Sequence, residues 1–300
     1  MTLLKAWMIS LRLRTLPLAL STICMGSIVA AWQGVFRTEI LVWAALTTLF
    51  LQILSNLAND YGDAVSGADG ADRLGPQRMI QSGVISLKQM KRAVGLCAFL
   101  ALVAGLRLLH LAFEAALLQA LLFLILGLAA IAAAIRYTVG SSPYGYRGLG
   151  DAYVFVFFGL LGVAGTYYLH GESWDWKVLL PAASIGFFSA GVLNLNNLRD
   201  EESDRKANKI TLIVRRGRQW GNWYHLGLLS AGWLAFAIYA WLSGHPTRFW
   251  PVIFALPFFM RSVLQPFHNY RPGGLDKELR NLSLSTLLFV ALSALVLFIA

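Results

Sequence analysis

Two clusters of Asn and Asp residues, each at the end of an apolar segment, hold side chains suited to metal chemistry. The first cluster contains Asn56, Asn59, Asp60 and Asp63, and Asp69 follows it. Residues three or four positions apart lie on one face of a helix. The first four side chains are therefore expected to form one polar patch.

The second cluster lies much further along the chain, at the end of another apolar segment. Asn196, Asp200 and Asp204 repeat every four residues, which predicts a single stripe on a helix. Asn and Asp at helix ends often act as caps, and for either cluster alone this structural role is about as good an explanation. Two such clusters at the same predicted membrane face favour a shared functional site.

Facing rows of carboxylates at a membrane would repel each other unless a cation lay between them. Oxygen ligands without neighbouring His or Cys favour Mg²⁺ over Zn²⁺, and protein-bound Mg²⁺ usually contacts substrate phosphates. We therefore expect a site where Mg²⁺ neutralises a departing diphosphate. The predicted metal ligands are Asn56, Asn59, Asp60, Asp63, Asp69, Asn196, Asp200 and Asp204, and the predicted catalytic residues are Asp60, Asp63, Asp200 and Asp204.

Basic side chains follow both clusters and could contact the phosphates. The candidates are Arg73, Arg78, Lys209 and Arg215. Anchoring of the loop to lipid headgroups explains Arg215, Arg216 and Arg218 equally well, because anionic headgroups attract basic loops.

A loop rich in Gly and Tyr lies between the two clusters, and its composition predicts a tight, non-helical turn. Its candidate side chains are Arg136, Tyr137, Tyr144, Tyr146 and Asp151. Tyrosine ring faces and hydroxyls could hold an aromatic substrate or stabilise an allylic cation. Interfacial tyrosines are also common membrane anchors, and this alternative stays open.

The composition indicates that lipid surrounds most of the chain. Of the 300 residues, 57% are hydrophobic and 13% are charged, and the mean hydropathy is +0.61. A membrane helix needs roughly 20 apolar residues, and we predict an all-α bundle of about nine spans in a single domain, 1–300. The spans lie near 16–34, 40–60, 92–109, 115–136, 151–169, 178–198, 222–243, 249–267 and 281–300.

The basic residues predict how the bundle is oriented. With a cytoplasmic N-terminus, 21 of the 25 Lys and Arg residues fall in inner segments, as the positive-inside rule requires. The same orientation places both Asp clusters and the longest loops on the cytoplasmic side.

Composition also argues against several other classes of protein. The two cysteines, Cys24 and Cys97, lie within apolar runs, so neither a disulfide framework nor a cysteine metal site is expected. The net charge of +10 fits membrane topology better than nucleic-acid binding. We expect the N-terminus to be retained, since the first apolar run continues into further spans without a convincing cleavage site.

The motifs resemble those of the UbiA-type intramembrane prenyltransferases, which carry NDxxDxxxD after the second span and DxxxD after the sixth. Asn59, Asp60 and Asp63 match the first motif, and Asp200 and Asp204 match the second. The first motif departs from the pattern, because Gly67 replaces its third Asp.

The stretches NLANDYGDAVSGADGADRLGPQRMIQSGVI, YTVGSSPYGYRGLGD and NLNNLRDEESDRKANKITLIVRRG resemble the 1,4-dihydroxy-2-naphthoate polyprenyltransferases of menaquinone biosynthesis. This resemblance implies a bacterial inner-membrane enzyme that uses a polyprenyl diphosphate and 1,4-dihydroxy-2-naphthoate. The polyprenyl group would replace the ring carboxylate, giving demethylmenaquinol, diphosphate and CO₂. The polyprenyl chain needs an apolar tunnel, for which residues 153–165 are candidate walls.

Two alternatives remain open, and a third lacks its sequence signature. A transporter would also place acidic residues and broken helices in a membrane, but it would need no phosphate-binding loop. A 4-hydroxybenzoate polyprenyltransferase would keep the ring carboxylate and release no CO₂. A CDP-alcohol type phosphotransferase would carry a longer Asp-rich signature than the sequence contains.

Overall fold

The computed structural model describes residues 2–67, 78–268 and 274–298, and within these ranges the chain forms helices and turns with no β-strand. The α-helices are α1 (Leu3–Leu11), α2 (Leu16–Trp32), α3 (Thr38–Ser66), α4 (Leu87–Phe113), α5 (Leu117–Arg136), α6 (Gly150–Val154), α7 (Thr166–Gly171), α8 (Leu179–Arg199), α9 (Glu201–Lys206), α10 (Leu212–Arg216), α11 (Arg218–Leu242), α12 (Leu256–His268) and α13 (Leu275–Ala294). A π-helix, Phe155–Gly165, joins α6 to α7.

Eight helical segments in the described ranges are long and apolar enough to cross a bilayer. They are Leu3–Trp32, Thr38–Ser66, Leu87–Phe113, Leu117–Arg136, Gly150–Gly171, Trp176–Arg199, Arg218–Leu242 and Leu275–Phe298. The protein is therefore an all-helical integral membrane protein, and the predicted fold class is confirmed.

The predicted count of nine spans is not confirmed. The segment proposed as a span at 249–267 is helical, but it consists of a 3₁₀-helix, Pro246–Ala255, followed by the short helix α12, and it is not among the eight. Pro251 and Pro266 lie inside these helices and each removes a backbone N–H donor. The orientation of the N-terminus stays a prediction.

Two features near the N-terminal half of the bundle differ from the sequence prediction. A helix, α1, precedes the first predicted span, and Arg12 ends it in the left-handed conformation with φ of 49°. The second predicted span ended at residue 60, whereas α3 continues to Ser66 and ends at Gly67, which is also left-handed. This extension keeps the whole first Asp cluster on one helix.

Helix α8 lies near the centre of the bundle and packs against α2, α6, α11, α13 and the π-helix. Its buried side chains include Ile185, Phe188 and Leu195, which belong to a core shared with α2, α11 and α13. Helix α5 has no buried residue and lies at the periphery. The second Asp cluster therefore starts from the most enclosed helix of the bundle.

The π-helix approaches α8 closely because both carry glycine at their contact. A Cβ atom built on Gly159 would lie 2.6 Å from the carbonyl oxygen of Ala182 and 2.8 Å from the Cα of Gly186. No larger residue fits there without moving one of the helices. Gly159 and Gly186 therefore set how closely the π-helix approaches α8.

We expect Gly159→Ala to lower the apparent unfolding temperature in detergent, because the added methyl group overpacks this contact at a cost of about 1–3 kcal/mol. Gly95→Ala is the matched control, since Gly95 lies in α4 with no atom within 4 Å of its built Cβ. The control should be neutral or slightly stabilising. Thermal unfolding followed by tryptophan fluorescence checks both variants, and equal midpoints would contradict the proposed contact.

Candidate functional site

The last turns of α3 hold the first pair of carboxylates. Asp60 and Asp63 are both buried, and they share a helix face, as the spacing predicted. Arg12, from the joint between α1 and α2, contacts Asp60 at 2.5 Å. Arg78 ion-pairs with Asp60 and also with Asp63, whose Oδ2 lies 2.7 Å from its Nη2. Two arginines from separate segments therefore balance the negative charge of this carboxylate pair.

The hydroxyl of Tyr146 completes the environment of Asp63. It donates a hydrogen bond to Asp63 Oδ1 at 2.9 Å and lies 3.0 Å from the Ser66 hydroxyl. Burial, followed by the nearby negative charge of Asp63, raises the pKa of Tyr146. The phenol is therefore a stable hydrogen-bond donor to the carboxylate at neutral pH.

The second pair of carboxylates lies where α8 ends and α9 begins. Asp200 caps the end of α8, and Asp204 lies in α9. The guanidinium of Arg199 donates two hydrogen bonds to Asp200, from Nε to Oδ1 and from Nη2 to Oδ2, both at 2.7 Å. Its Nη2 also donates to Asn196 Oδ1 at 2.8 Å. Bidentate pairing of this kind fixes the plane of the carboxylate.

Asp204 is paired with Lys209, whose Nζ lies 3.2 Å from Asp204 Oδ1. The other oxygen, Oδ2, is buried without a hydrogen-bond partner in the described part of the chain. Burial raises the pKa of Asp204 to about 6, although Lys209 acts in the opposite direction. Burial acts to lower the pKa of Lys209, but the negative charge of Asp204 and other nearby groups outweighs it. The net effect raises the pKa of Lys209, so the amine stays cationic.

Both carboxylate pairs face one cavity of about 430 Å³. Predicted site residues that line it are Asn56, Asn59, Asp60, Asp63, Arg78, Tyr137, Tyr144, Asn196, Asp200, Asp204 and Lys209. The rest of the cavity is mainly apolar and runs between α2, α3, α4, α5 and the π-helix. Residues 153–165, predicted as tunnel walls, contribute Tyr153, Phe157, Phe158 and Leu161.

The Tyr-rich loop is held against α3 by a close contact at Gly62. A Cβ atom on Gly62 would lie 2.5 Å from the hydroxyl and 2.7 Å from the carbonyl oxygen of Thr138. The Thr138 hydroxyl in turn donates to Ala58 O at 3.0 Å. This docking places the ring of Tyr137 at the cavity wall, and burial raises the pKa of Tyr137 to about 12.

Tyr144 also lines the cavity, but its hydroxyl bonds a backbone carbonyl and not a carboxylate. It donates to Ala133 O at 2.9 Å, and its ring stacks on Tyr153 with 3.9 Å between the ring centroids. The loop thus contributes the side chains of Tyr137 and Tyr144 to the lining of the cavity that the carboxylates share.

Several predicted residues do not reach the cavity. Arg136 and Arg215 are exposed and do not line it, and Arg215 donates to the Arg147 carbonyl. Asp151 is buried beside Tyr224 and does not line the cavity either. Asp69 and Arg73 lie outside the described residues.

Asn56 and Asn196 lie at the site, but their amides already bridge neighbouring groups. Asn56 Nδ2 donates to Leu11 O at 3.0 Å and to Thr15 Oγ1 at 3.1 Å, so it links α3 to the segment before α2. Asn196 Oδ1 accepts from Arg199. Asn56 therefore ties α3 to the segment before α2, and Asn196 holds the arginine that pairs with Asp200.

Sequence reasoning missed two arginines that contact the carboxylates, Arg12 and Arg199. Arg199 directly precedes Asp200, and this adjacency was a usable signal for a paired charge. Arg12 is far from Asp60 along the chain, and a basic residue before a first span is well explained by topology alone. Only the folded bundle brings it to the site.

The donor set fits Mg²⁺ that is shared with a phosphate. Among residues 2–67, 78–268 and 274–298, no group of three or more His, Cys, Asp or Glu side chains is arranged to hold a metal ion. Each of the two clusters contributes a pair of carboxylates, and the buried Oδ2 of Asp204 has lone pairs available. Mg²⁺ is commonly bound through one or two carboxylates together with waters and substrate phosphates.

Comparison with known proteins identifies close relatives. Residues 19–292 match the UbiA prenyltransferase family. The 1,4-dihydroxy-2-naphthoate octaprenyltransferase of Escherichia coli (strain K12) is 43% identical, over 95% of this chain and 94% of the relative. The enzyme of the same name from Haemophilus influenzae is also 43% identical, over 99% of this chain and 96% of the relative.

Solved structures share the fold at low sequence identity. A UbiA homolog from Aeropyrum pernix K1 superposes with a TM-score of 0.70 at 16% identity, covering 93% of this chain and 96% of the other. A UbiA homolog from Archaeoglobus fulgidus, bound to DMAPP and Mg²⁺, gives a TM-score of 0.59 at 16% identity, covering 96% and 99%.

Proposed function

The chain belongs to the UbiA prenyltransferase family, and we propose that it is a Mg²⁺-dependent 1,4-dihydroxy-2-naphthoate polyprenyltransferase of menaquinone biosynthesis. It transfers the polyprenyl group of a polyprenyl diphosphate to the ring carbon that bears the carboxylate. The products are demethylmenaquinol, diphosphate and CO₂. The relatives of that name support the choice of aromatic acceptor.

One observation carries the proposal, namely a single cavity with two pairs of carboxylates at one end and apolar side chains along the rest. The carboxylate end suits a metal-bound diphosphate, and the apolar part suits the attached polyprenyl chain. A substrate that is charged at one end and apolar along its length matches both parts.

The reaction begins with cleavage of the bond between the allylic carbon and the diphosphate oxygen, which keeps the electron pair. Bound Mg²⁺ supplies neutralisation of the charge that develops on the diphosphate. The catalytic carboxylates, Asp60, Asp63, Asp200 and Asp204, would hold the metal. Arg78 and Lys209, which pair with Asp63 and Asp204, would supply cations for the phosphate oxygens. These charges are fixed before the reaction, so little reorganisation is needed.

The allylic cation must then meet the acceptor before it meets water. Tyr137 and Tyr144 line the cavity, and aromatic rings of this kind can stabilise a cation and pack against a naphthoate ring. The acceptor ring forms the new carbon–carbon bond, and CO₂ leaves with its bonding electrons returned to the ring. Enclosure by helices excludes the water that would otherwise quench the cation.

The proposal extends to location. The chain is one domain, 1–300, in the bacterial inner membrane, with the N-terminus and the cavity mouth at the carboxylates on the cytoplasmic side. The excess of basic residues in the segments next to the carboxylates supports this orientation.

The proposed reaction is tested by turnover in detergent with carboxylate-labelled 1,4-dihydroxy-2-naphthoate and a polyprenyl diphosphate. We expect CO₂ release coupled to a prenylated product in the presence of Mg²⁺, and loss of both when the metal is chelated. Asp60→Asn and Asp204→Asn should each lower turnover by at least a factor of about 100, since each removes a metal-binding charge.

Asp175→Asn is the control for these variants, because Asp175 caps a 3₁₀ turn outside the cavity and should leave turnover unchanged. Prenylation of 4-hydroxybenzoate in place of the naphthoate would contradict the acceptor. Transfer to neither acid would contradict the enzyme class and favour a transporter.

Two tyrosines of the same loop separate hydrogen bonding to the carboxylate from general packing. Tyr146→Phe removes the hydroxyl that donates to Asp63 and should lower kcat about tenfold, because a hydrogen bond to a charged group is worth about 1.5–3 kcal/mol. Tyr144→Phe removes a hydroxyl that donates to a backbone carbonyl and should have a smaller effect. Steady-state kinetics at saturating Mg²⁺ compare the two, and equal losses would contradict the role of Tyr146.

A further inference from the structure

Asp276, in the first turn of α13, lies between two arginines that reach it from other spans. Its Oδ2 accepts from Arg14 Nη1 at 2.6 Å, and its Oδ1 accepts from Arg199 Nη1 at 2.7 Å. Arg14 lies in the 3₁₀ turn before α2, and Arg199 is the last residue of α8. Asp276 therefore joins three segments of the bundle with one carboxylate.

The contact with Asp276 completes the hydrogen bonding of Arg199. This guanidinium already donates from Nε and Nη2 to Asp200, and from Nη2 to Asn196. Its side chain is 2% exposed. A guanidinium is planar and has five donors in fixed directions, so its contacts on three sides determine its orientation.

That orientation is transmitted to Asp200. Both oxygens of Asp200 accept a bond from Arg199, and a carboxylate oxygen can accept more than one bond. Rotation of the Arg199 plane would rotate the carboxylate with it. The orientation that the Asp200 carboxylate presents to a metal therefore depends on the anchor that Asp276 provides to Arg199.

We infer that Asp276 is a positioning residue for the metal site, acting through Arg199 to hold the Asp200 carboxylate in its metal-binding orientation. The inference rests on the proposed function and adds a residue from the last span to the site. Asp276 also contributes charge, because it and Asp200 are the two carboxylates that ion-pair with Arg199 in the described part of the chain. Without the charge of Asp276, the neighbourhood of the metal becomes more positive, which opposes binding of a divalent cation.

Partners behind a metal ligand commonly change metal affinity or activity by 10–100-fold when they are mutated. We expect Asp276→Asn to raise the apparent Mg²⁺ activation constant by about 10-fold or more. The effect on kcat at saturating Mg²⁺ should be smaller than the effect on the activation constant. The KM for the naphthoate should stay unchanged, because Asp276 does not line the cavity.

The direct readout is Mn²⁺ binding to the detergent-solubilised protein, measured by electron paramagnetic resonance with inorganic diphosphate present. Asp276→Asn should weaken Mn²⁺ binding by the same factor as it raises the activation constant. Asp175→Asn is the matched control and should bind Mn²⁺ as the unaltered chain does. Asp276→Glu, which keeps the charge, should recover part of the affinity.

Arg14→Lys gives a second test that does not depend on how Asp276→Asn folds. It keeps the positive charge but replaces the guanidinium that holds Asp276, so it should weaken Mn²⁺ binding in the same direction but by less. Unchanged Mn²⁺ affinity in Asp276→Asn, or in Arg14→Lys if Asp276→Asn does not fold, would overturn this inference without touching the proposed function. Absence of any metal-dependent turnover in the unaltered chain would instead overturn the proposed function.

Discussion

A carboxylate buried at the end of a membrane helix bundle must be matched by positive charge, because it loses the hydration that stabilises it in water. Asp60, Asp63, Asp200 and Asp204 are all buried, and each one is paired with an arginine or a lysine. The paired cations come from the segments before α2 and α4, from the end of α8 and from the loop after α9. The site therefore exists only when these segments have assembled.

This requirement explains why small residues occur where the segments meet. Gly62 lets the Tyr-rich loop pack against α3 through Thr138, and Gly159 lets the π-helix lie against α8. A π-helix is rare and is often found at functional sites. Here it widens the turn of a span that lines the apolar part of the cavity. Helices α3 and α8 thus end at the two carboxylate pairs and also form the close packing contacts with the Tyr-rich loop and the π-helix.

Local patterns in the sequence predicted much of the site, since the four-residue spacing of Asn196, Asp200 and Asp204 and the helical face of the first cluster are properties of short segments. Lys209 was also predicted, and it lies beside Asp204. Arg12 and Asp276 were not predicted, because their partners are distant in sequence and nothing local marks the contact. The apolar content of residues 249–267 predicted a ninth span, whereas the structure forms a 3₁₀-helix and a short α-helix there that are not among the eight long apolar helical segments of the described ranges.

The central claim is that both carboxylate pairs act on one metal-bound diphosphate. The most direct measurement is a crystal structure of the protein with Mn²⁺ and a non-hydrolysable polyprenyl diphosphonate, using anomalous scattering to locate the metal. The account predicts Mn²⁺ at Asp60 and Asp63 and at Asp200 and Asp204, with the diphosphonate between them and its chain in the apolar cavity. Metal at only one pair, or a diphosphonate bound outside the cavity, would contradict it.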